Sequence, residues 1–498
     1  MTDQSHEASE DHGHADAITI VGIPTCDRPT SVIACIESYV ENCRRHGRNP
    51  EFVITDDSAD ANSRNRTRAA LRDIEKRSGV RIRYAGRPER RRFAEALARE
   101  SGIPAEIVDF GLAGDDRCGL STGANRNSLL LDSIDALALS VDDDTLCQIA
   151  TAPGGTDAPS SLSFFAGYDP TEFWFFPDRA TATGSVSFIG NDVLGCHEAL
   201  LGHDIVGGNG SLQAGGRVAI TLNGLVGDSG MASPRYYLTL SGASRDRLVT
   251  SQDAYRSAFR SREVLRTVRL PTLCATPFFM TTFFGFDNRS LLPPFFPVQR
   301  NADGIFGLVL QKCVEDSRTA FLPSVLLHAP PSPRLFEPDQ AWTDARTMRM
   351  ADVVIACIFG HQANRAGGTD ATRLIELGRF LRELGSLKLR DFEARVLMLQ
   401  QYRTMAFITA LQSQLQIHAG PDFWAEDVKR MVQQMLQGTS AGDMSVPRDM
   451  WHERDVDGVR RLVQELITRF GALLEAWPAM VDAARRLRAN GCRVTDPV

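Results

Sequence analysis

The sequence predicts an α/β protein whose carboxyl-terminal part is all-helical, and three observations support this. Between Ile18 and about residue 102, short β-rich runs alternate with helical runs. After about residue 340, long amphipathic runs carry apolar residues three and four positions apart. The chain has 498 residues, which at about 150 residues per domain suggests roughly three units. We therefore predict a disordered acidic tail at 1–16, an α/β domain at 17–338 and a helical domain at 339–498.

The composition is that of an ordinary globular protein and excludes several classes of function. The net charge of -7 gives no sign of nucleic-acid binding, and so no nucleic-acid partner is expected. The ten cysteines form no Cys-x-x-Cys pair, which argues against a zinc ribbon and suggests reduced thiols in a cytoplasmic protein. The aromatic-rich uncharged stretch 270–286 is too short for a membrane span and contains two prolines, so no transmembrane segment is expected.

The first strands and helices follow one another at the spacing of parallel βαβ units. Strand-like runs are AITIVGIP, EFVITDDS and VRIRYAG. The intervening helical runs are RPTSVIACIESYVENCRRHG, SRNRTRAALRDIEKRSG and RPERRRFAEALARESG. In parallel sheets, ligands bind beyond the carboxyl ends of the strands. Two polar segments, 24–28 and 56–58, fall at such ends.

The next segment brings an unusual group of carboxylates to the same edge. Gly123 opens a helix predicted from about Asn125 to Asp135, and the strand LALSV then ends in Asp142, Asp143 and Asp144. Between 151 and 260 the helical periodicity is weak, which predicts long loops and short strands over the edge of the sheet. Within it, GLVGDSG (224–230) is interpreted as a Gly-rich loop, either a lid or an ordinary turn.

The sequence does not decide what the helical runs after residue 340 pack against. An apolar stripe through Leu374, Leu377, Phe380 and Leu381 suits either a homo-oligomer or docking surface or the inside of an intramolecular bundle.

An Asp-x-Asp sequence at a strand end is a suitable site for a hard cation. Oxygen ligands favour Mg²⁺ or Mn²⁺, and an open coordination sphere accommodates substrate phosphates. Asp-x-Asp alone is a weak signal, because acid-rich strand ends are common in turns.

The ordered set of segments IVGIPTCDRP, ITDDS, GANRN, VDDDT, RNADGIFG and FLPSVLLH resembles the nucleotide-sugar glycosyltransferases of the GT-A fold, in particular the family-two group. The resemblance covers residues 18 to about 335 and implies a Rossmann-like mixed sheet with flanking helices as the catalytic domain. It further implies a nucleoside-diphosphate sugar as donor, Mn²⁺ or Mg²⁺ as cofactor, and an unidentified acceptor. The Gln-x-x-Arg-Trp motif of processive members is absent, which argues for transfer of a single sugar.

The resemblance also assigns roles to individual residues. Asp303 is the expected general base, which implies inversion, although the family often has Glu-Asp where this chain has Ala302-Asp303. Metal ligands are expected at Asp144, Asp142 and His328. The residues expected to bind the nucleotide sugar are Pro24, Thr25, Asp27, Arg28, Asp56, Asp57, Arg126, Asn127, Asp142 and Asp143. Aromatic segments 173–176 and 277–284 are expected to line the acceptor site.

Two other classes of function remain open. A nucleotidyltransferase acting on a sugar phosphate would share the metal and nucleotide chemistry, but the first strand is not followed by the Gly-rich, basic segment typical of that class. A non-catalytic nucleotide-sugar-binding scaffold would keep the sheet and use the helices to bind partners.

Overall fold

The computed structural model describes residues 17–155, 162–205, 216–276, 278–362, 367–439, 446–451 and 455–498. The predicted tail at 1–16 lies outside the described residues. No helix within these ranges is long and apolar enough to cross a lipid bilayer. All ten cysteines carry free thiols.

The first half of the chain forms the predicted βαβ units. Its strands and helices are β1 (Ile18–Thr25), α1 (Pro29–Arg45), β2 (Glu51–Asp56), α2 (Ala61–Ser78), β3 (Ile82–Ala85), α3 (Arg87–Ser101), α4 (Ala105–Ala113), α5 (Thr122–Asp132) and β4 (Leu137–Val141). Local signals set several boundaries. Asp60 caps α2 by accepting a hydrogen bond from Ser63, and Gly79 ends that helix in a left-handed conformation.

The middle of the chain contributes more sheet than its composition predicts. Its elements are β5 (Thr145–Thr151), β6 (Ser163–Phe165), β7 (Glu172–Phe175), α6 (Arg179–Gly184), α7 (Val193–Glu198), β8 (Arg217–Asp228), α8 (Gly242–Leu248), α9 (Gln252–Ala258), β9 (Glu263–Thr267), β10 (Thr272–Cys274), β11 (Phe283–Asp287), α10 (Ala302–Cys313) and β12 (Ser317–His328). The prediction that 224–230 forms a loop is wrong for its first five residues, because Gly224–Asp228 is the end of β8. Gly224 packs against Thr267 of β9 so closely that an added Cβ would lie 2.4 Å from that side chain. A glycine can therefore mark a close approach of strands as well as a turn.

The strands form one mixed sheet of 13 strands, ordered β13-β3-β2-β1-β4-β11-β8-β12-β10-β6 along its main path. The last strand, β13 (Asp496–Pro497), pairs antiparallel with β3. Alternate residues of β1 enter opposite hydrophobic layers, with Ile20 in one layer and Val21 and Ile23 in the other. The sheet therefore has a packed layer of side chains on each face.

The remaining elements are helical, as predicted. They are α11 (Gln340–Arg346), α12 (Met350–Gly360), α13 (Asp370–Gly385), α14 (Leu389–Ile417), α15 (Asp422–Thr439) and α16 (Val456–Ala489). These helices share their apolar core with the sheet: Phe470 and Leu473 of α16 belong to the same buried cluster as Phe93 of α3. The amphipathic helical pattern that starts near residue 339 thus marks a change of secondary structure within a continuous core.

The apolar stripe on α13 is used inside the molecule. Leu374, Leu377 and Leu381 are buried, Phe380 packs against the same core, and α13 contacts α16. Of the two alternatives for this stripe, the structure shows the intramolecular one, because the chain's own helix α16 covers these side chains.

Candidate functional site at the carboxyl edge of the sheet

Several strands, among them β1, β2, β4, β8 and β12, end at one edge of the sheet. β1 pairs parallel with both β2 and β4, β11 is antiparallel to both β4 and β8, and β12 is parallel to β8. All five of the strands β1, β2, β4, β8 and β12 therefore point the same way. The chain leaves β1 for β2 on one side and returns to β4 on the other, so the gap between the ends of β1 and β4 is a topological switch point, where open α/β sheets bind ligands.

The three aspartates form the connection between β4 and β5. The amide of Thr145 donates to the carbonyl of Asp142 at 3.0 Å, and the amide of Asp142 donates to the carbonyl of Thr282 at 2.8 Å. The three carboxylates of this turn have different sets of partners, although Asp143 and Asp144 share Arg28.

Asp143 points toward the end of β1. Its carboxylate accepts a hydrogen bond from Thr25 Oγ1 at 2.7 Å and an ion pair from Arg28 Nη1 at 3.1 Å. Burial raises the pKa of Asp143 to about 6, against the opposing effects of Thr25 and Arg28. The Asp143 side chain therefore links the end of β4 to the end of β1.

Asp144 meets the end of β12. Its Oδ1 lies 3.2 Å from Nε2 of His328, and its Oδ2 lies 3.2 Å from Nη1 of Arg28. Burial acts to raise the pKa of Asp144, but His328 and then Arg28 outweigh it and hold this pKa at about 2. The other ring nitrogen, Nδ1, donates to the carbonyl of Asp228 at 2.5 Å. Burial acts to lower the pKa of His328, but the hydrogen bond to Asp144 and the charges of Asp144 and Asp228 outweigh it and raise this pKa.

Asp142 is the most exposed of the three and faces α5. Its Oδ1 is ion-paired with Arg126 at 2.5 Å, while 30% of its side chain remains accessible. Its Oδ1 is held by a guanidinium, as is Oδ2 of Asp144, and the role of Asp142 as a metal ligand stays a prediction.

Asp303 lies in the first turn of α10, half-buried. Burial raises its pKa, while the charge of Arg126 and the backbone amides of Gly304 and Asp303 itself oppose that rise. Arg126 thus interacts with both Asp142 and Asp303. The predicted base therefore lies on the same side of the site as the turn at 142–144.

Three predicted nucleotide-binding residues are engaged within the protein. Asp56 accepts hydrogen bonds from Ser58 and from the Tyr84 hydroxyl at 2.8 Å and is fully buried. Asp57 is ion-paired with buried Arg90. These two carboxylates stabilise the turn after β2 and are not open to a ligand.

Asn127 is the third. It donates to the carbonyls of Gly111 and Phe295 at 2.9 and 3.0 Å and accepts from the amide of Phe295 at 2.7 Å, with no exposed surface. The prediction that Asn127 faces a nucleotide is wrong, because all of these bonds connect α5 to neighbouring backbone.

The other predicted residues at the end of β1 stay near the edge. Pro24 is half-buried within β1, and Asp27 is exposed, with a left-handed backbone (φ 54) and an amide that donates to Ser58 Oγ at 2.7 Å. Arg28 has 44% of its side chain accessible.

The residues that hold this edge of the sheet in place were not predicted from the sequence. Asn125 donates to the carbonyls of Thr25 and Thr55 at 3.2 and 2.9 Å and so holds the ends of β1 and β2 together. Asp228, completely buried, is ion-paired with Arg262 at 3.1 Å and Arg334 at 2.9 Å, and its carbonyl orients His328. An acid at the end of the apolar run AITLNGLVGD was a visible signal, but the glycines around it favoured a loop.

The residues fit a cation held by two protein ligands. Within the described ranges, no group of three or more His, Cys, Asp and Glu side chains has a metal-binding arrangement. Asp144 and His328 would be those two ligands, and Nε2 of His328 would have to release its proton to the solvent when a cation binds. Mg²⁺ usually binds through one or two carboxylates and takes its remaining ligands from water and substrate phosphates.

Most rings of the two predicted acceptor segments belong to the core. Phe173 is fully buried, and Phe279 and Phe284 stack edge-to-face within the core with centroids 4.9 Å apart. Pro277 lies outside the described residues. Tyr168 is one of the exposed aromatic rings, and it meets Phe278 edge-on at 5.7 Å.

Comparison of the chain with protein-family models, with curated proteins and with solved structures found no significant match.

Proposed function

We propose that this chain is a metal-dependent glycosyltransferase of the GT-A type that transfers one sugar from a nucleoside-diphosphate sugar to an acceptor with inversion. The observation that carries the proposal is the meeting of Asp144 and His328. They lie 184 positions apart in the sequence, at the ends of two strands, and approach to 3.2 Å at the carboxyl edge of the sheet. The resemblance predicts both residues as metal ligands.

The donor diphosphate would occupy the switch point between β1 and β4. Asp144 and His328 would hold Mn²⁺ or Mg²⁺ there, and such an ion neutralises the charge that grows on a departing diphosphate. Arg28 binds both Asp143 and Asp144 through Nη1 alone, which leaves Nε and Nη2 as donors for phosphate oxygens.

The acceptor would enter on the side of Asp303. A carboxylate with a raised pKa is a stronger base than an ordinary one, and the burial of Asp303 acts in that direction. Burial raises the pKa of both Asp303 and Asp142, and the charge of Arg126 opposes that rise at each of them. Asp303 would take the acceptor proton while the acceptor oxygen attacks the sugar from the face opposite the diphosphate.

The test is a mass-spectrometric screen of nucleotide-sugar hydrolysis in the presence of Mn²⁺, with Asp144→Asn and His328→Ala as variants. Asp73→Asn is the matched control, since Asp73 is exposed near the far end of α2. We expect turnover of at least one nucleoside-diphosphate sugar by the wild type and the control, and its loss in both site variants.

Other results would contradict the proposal in distinguishable ways. Release of pyrophosphate from a nucleoside triphosphate and a sugar phosphate would identify a nucleotidyltransferase. Tight binding of a nucleotide sugar without any turnover would identify a scaffold. Turnover that persists in Asp144→Asn and in EDTA would remove the metal from the mechanism.

A further inference from the structure

Four arginines converge on the segment that joins α11 to α12. Arg448 Nη2 lies 2.7 Å from Asp344 Oδ1, and Arg349 Nη2 lies 3.9 Å from the same oxygen. Arg235 Nη1 donates to the backbone carbonyl of Asp344 at 3.0 Å. The fourth, Arg403 on α14, donates to the carbonyl of Asp352 at 3.1 Å.

The carboxylates nearby do not balance these charges. Asp344 serves Arg448 and Arg349, while the Asp352 carboxylate accepts the backbone amide of Arg349 at 3.0 Å and caps α12. Among the residues that the structure describes, neither Arg235 nor Arg403 has a carboxylate within ion-pair distance. Each of these two guanidinium groups is half-buried and bonded to a backbone carbonyl.

This arrangement costs free energy in the protein as it stands. Burial lowers the pKa of Arg403 and of Arg349, and the positive charge of Arg235 adds to both shifts. Half-buried like charges without a counter-ion are unfavourable unless an anion joins them. Guanidinium groups bind carboxylate and phosphate through paired N–H donors.

The cluster lies on the side of Tyr168, because the hydroxyl of Tyr236, next to Arg235, donates to the carboxylate of Asp169, next to Tyr168, at 2.8 Å. Tyr168 interacts electrostatically with both Arg403 and Asp303, and its ring is accessible to solvent (57%). Arg235 follows the end of β8 by a few residues, and an added Cβ at Gly230 in that connection would lie 3.8 Å from the ring of His328. Arg235 therefore lies toward Tyr168, whose pKa the charges of Arg403 and Asp303 also affect, while Arg28 lies at the end of β1.

We propose that Arg235 and Arg403 bind an oxyanion, either phosphate or carboxylate, carried by the acceptor. That the oxyanion belongs to an acceptor rests on the proposed function, whereas the anion site itself does not. Because Tyr168 and the half-exposed ring of Phe359, 5.6 Å from the Arg403 guanidinium, flank the site, the group next to the oxyanion would be apolar or a sugar face.

The experiment measures binding of inorganic phosphate by calorimetry, without Mn²⁺ and in EDTA, to the full chain. Arg235→Gln and Arg403→Gln are the variants, and Arg395→Gln is the matched control because Arg395 is exposed on the same helix as Arg403. We expect phosphate affinity to fall about tenfold in each site variant, as befits the loss of one charged hydrogen-bonding partner, and to be unchanged in the control. In the same proteins, Mn²⁺-dependent binding of UDP or GDP should be equal.

The outcomes separate the two proposals. Unchanged phosphate affinity in both site variants would overturn the anion site. Displacement of the phosphate by UDP or GDP would assign these arginines to the donor and overturn their acceptor role. If phosphate behaves as expected while no nucleoside diphosphate binds, the anion site stands and the glycosyltransferase proposal fails. Carboxylate is distinguished by repeating the titration with acetate, whose binding should show the same dependence on Arg403 if a carboxylate suffices.

Discussion

Replacing Asn127 by alanine distinguishes a structural role from a ligand-binding role at a position where sequence reasoning predicted the latter. The side chain makes three hydrogen bonds of 2.7 to 3.0 Å to buried backbone and has no exposed surface. Each bond contributes about 0.5–1.5 kcal/mol net, and the variant also leaves buried backbone groups without partners. We therefore expect the free energy of unfolding to fall by about 3 kcal/mol.

The assay is equilibrium unfolding in urea, with Asn65→Ala as the control. Asn65 is exposed within α2, so its replacement should change the free energy of unfolding by less than about 0.5 kcal/mol, in the stabilising direction if at all. Nucleoside-diphosphate binding by the folded Asn127→Ala protein should match the wild type. A variant that unfolds like the control yet loses nucleotide affinity would refute this reasoning and restore Asn127 to the binding site.

Three further predictions follow from the structure. Asp303→Asn should lower the rate of sugar transfer about 10²-fold while leaving donor binding intact, and a product that retains the donor's anomeric configuration by NMR would count against Asp303 as the base. Burial lowers the pKa of His197 to about 4 from 6.5, so its neutral ring contributes its full stabilisation above pH 6.5 and loses it as the pH falls toward 4. From pH 7 to pH 5 the free energy of unfolding of the wild type should fall by about 2 kcal/mol more than that of His197→Gln in urea titrations. Parallel pH profiles of the two proteins would contradict this. Gly123→Ala would place a Cβ 1.8 Å from the carbonyl oxygen of Phe296 and should destabilise by about 3 kcal/mol, whereas Gly184→Ala, with open space around it, should be neutral; equal melting temperatures for the two variants would show that the α5 backbone can shift.

The parts of the fold that could be predicted from sequence are those where local pattern and tertiary packing agree. Strand β4 ends where its apolar run meets Asp142, and the parallel βαβ rule places that end beside Thr25. The pairing of Asp144 with His328 was expected only through the order of motifs, since no local pattern reports a contact across 184 positions.

The parts that could not be predicted depend on partners far along the chain. Strand β8 contains glycines that look like turn residues, and only the close approach of Thr267 explains Gly224. Asp57 and Asn127 have polar side chains at a promising edge, yet Arg90 and the backbone of Phe295 use them internally. A polar residue at a strand end therefore indicates the edge, but burial decides whether it faces a ligand.

The pairing of β13 with β3 has a consequence for the order in which the protein folds. The edge of β3 receives its antiparallel partner from residues 496–497, and the buried carboxylate of Asp132 receives hydrogen bonds from Thr495. Synthesis at about 5–20 residues per second separates β3 from this partner by roughly 20 to 80 s. During that interval the nascent sheet has an open edge, and the apolar surfaces of α3 and α4 that α16 covers in the folded protein are exposed. Both features favour aggregation. A fragment ending at residue 338 would keep these surfaces permanently, so we expect residues 17–338 produced alone to be recovered mainly as aggregate in sedimentation assays.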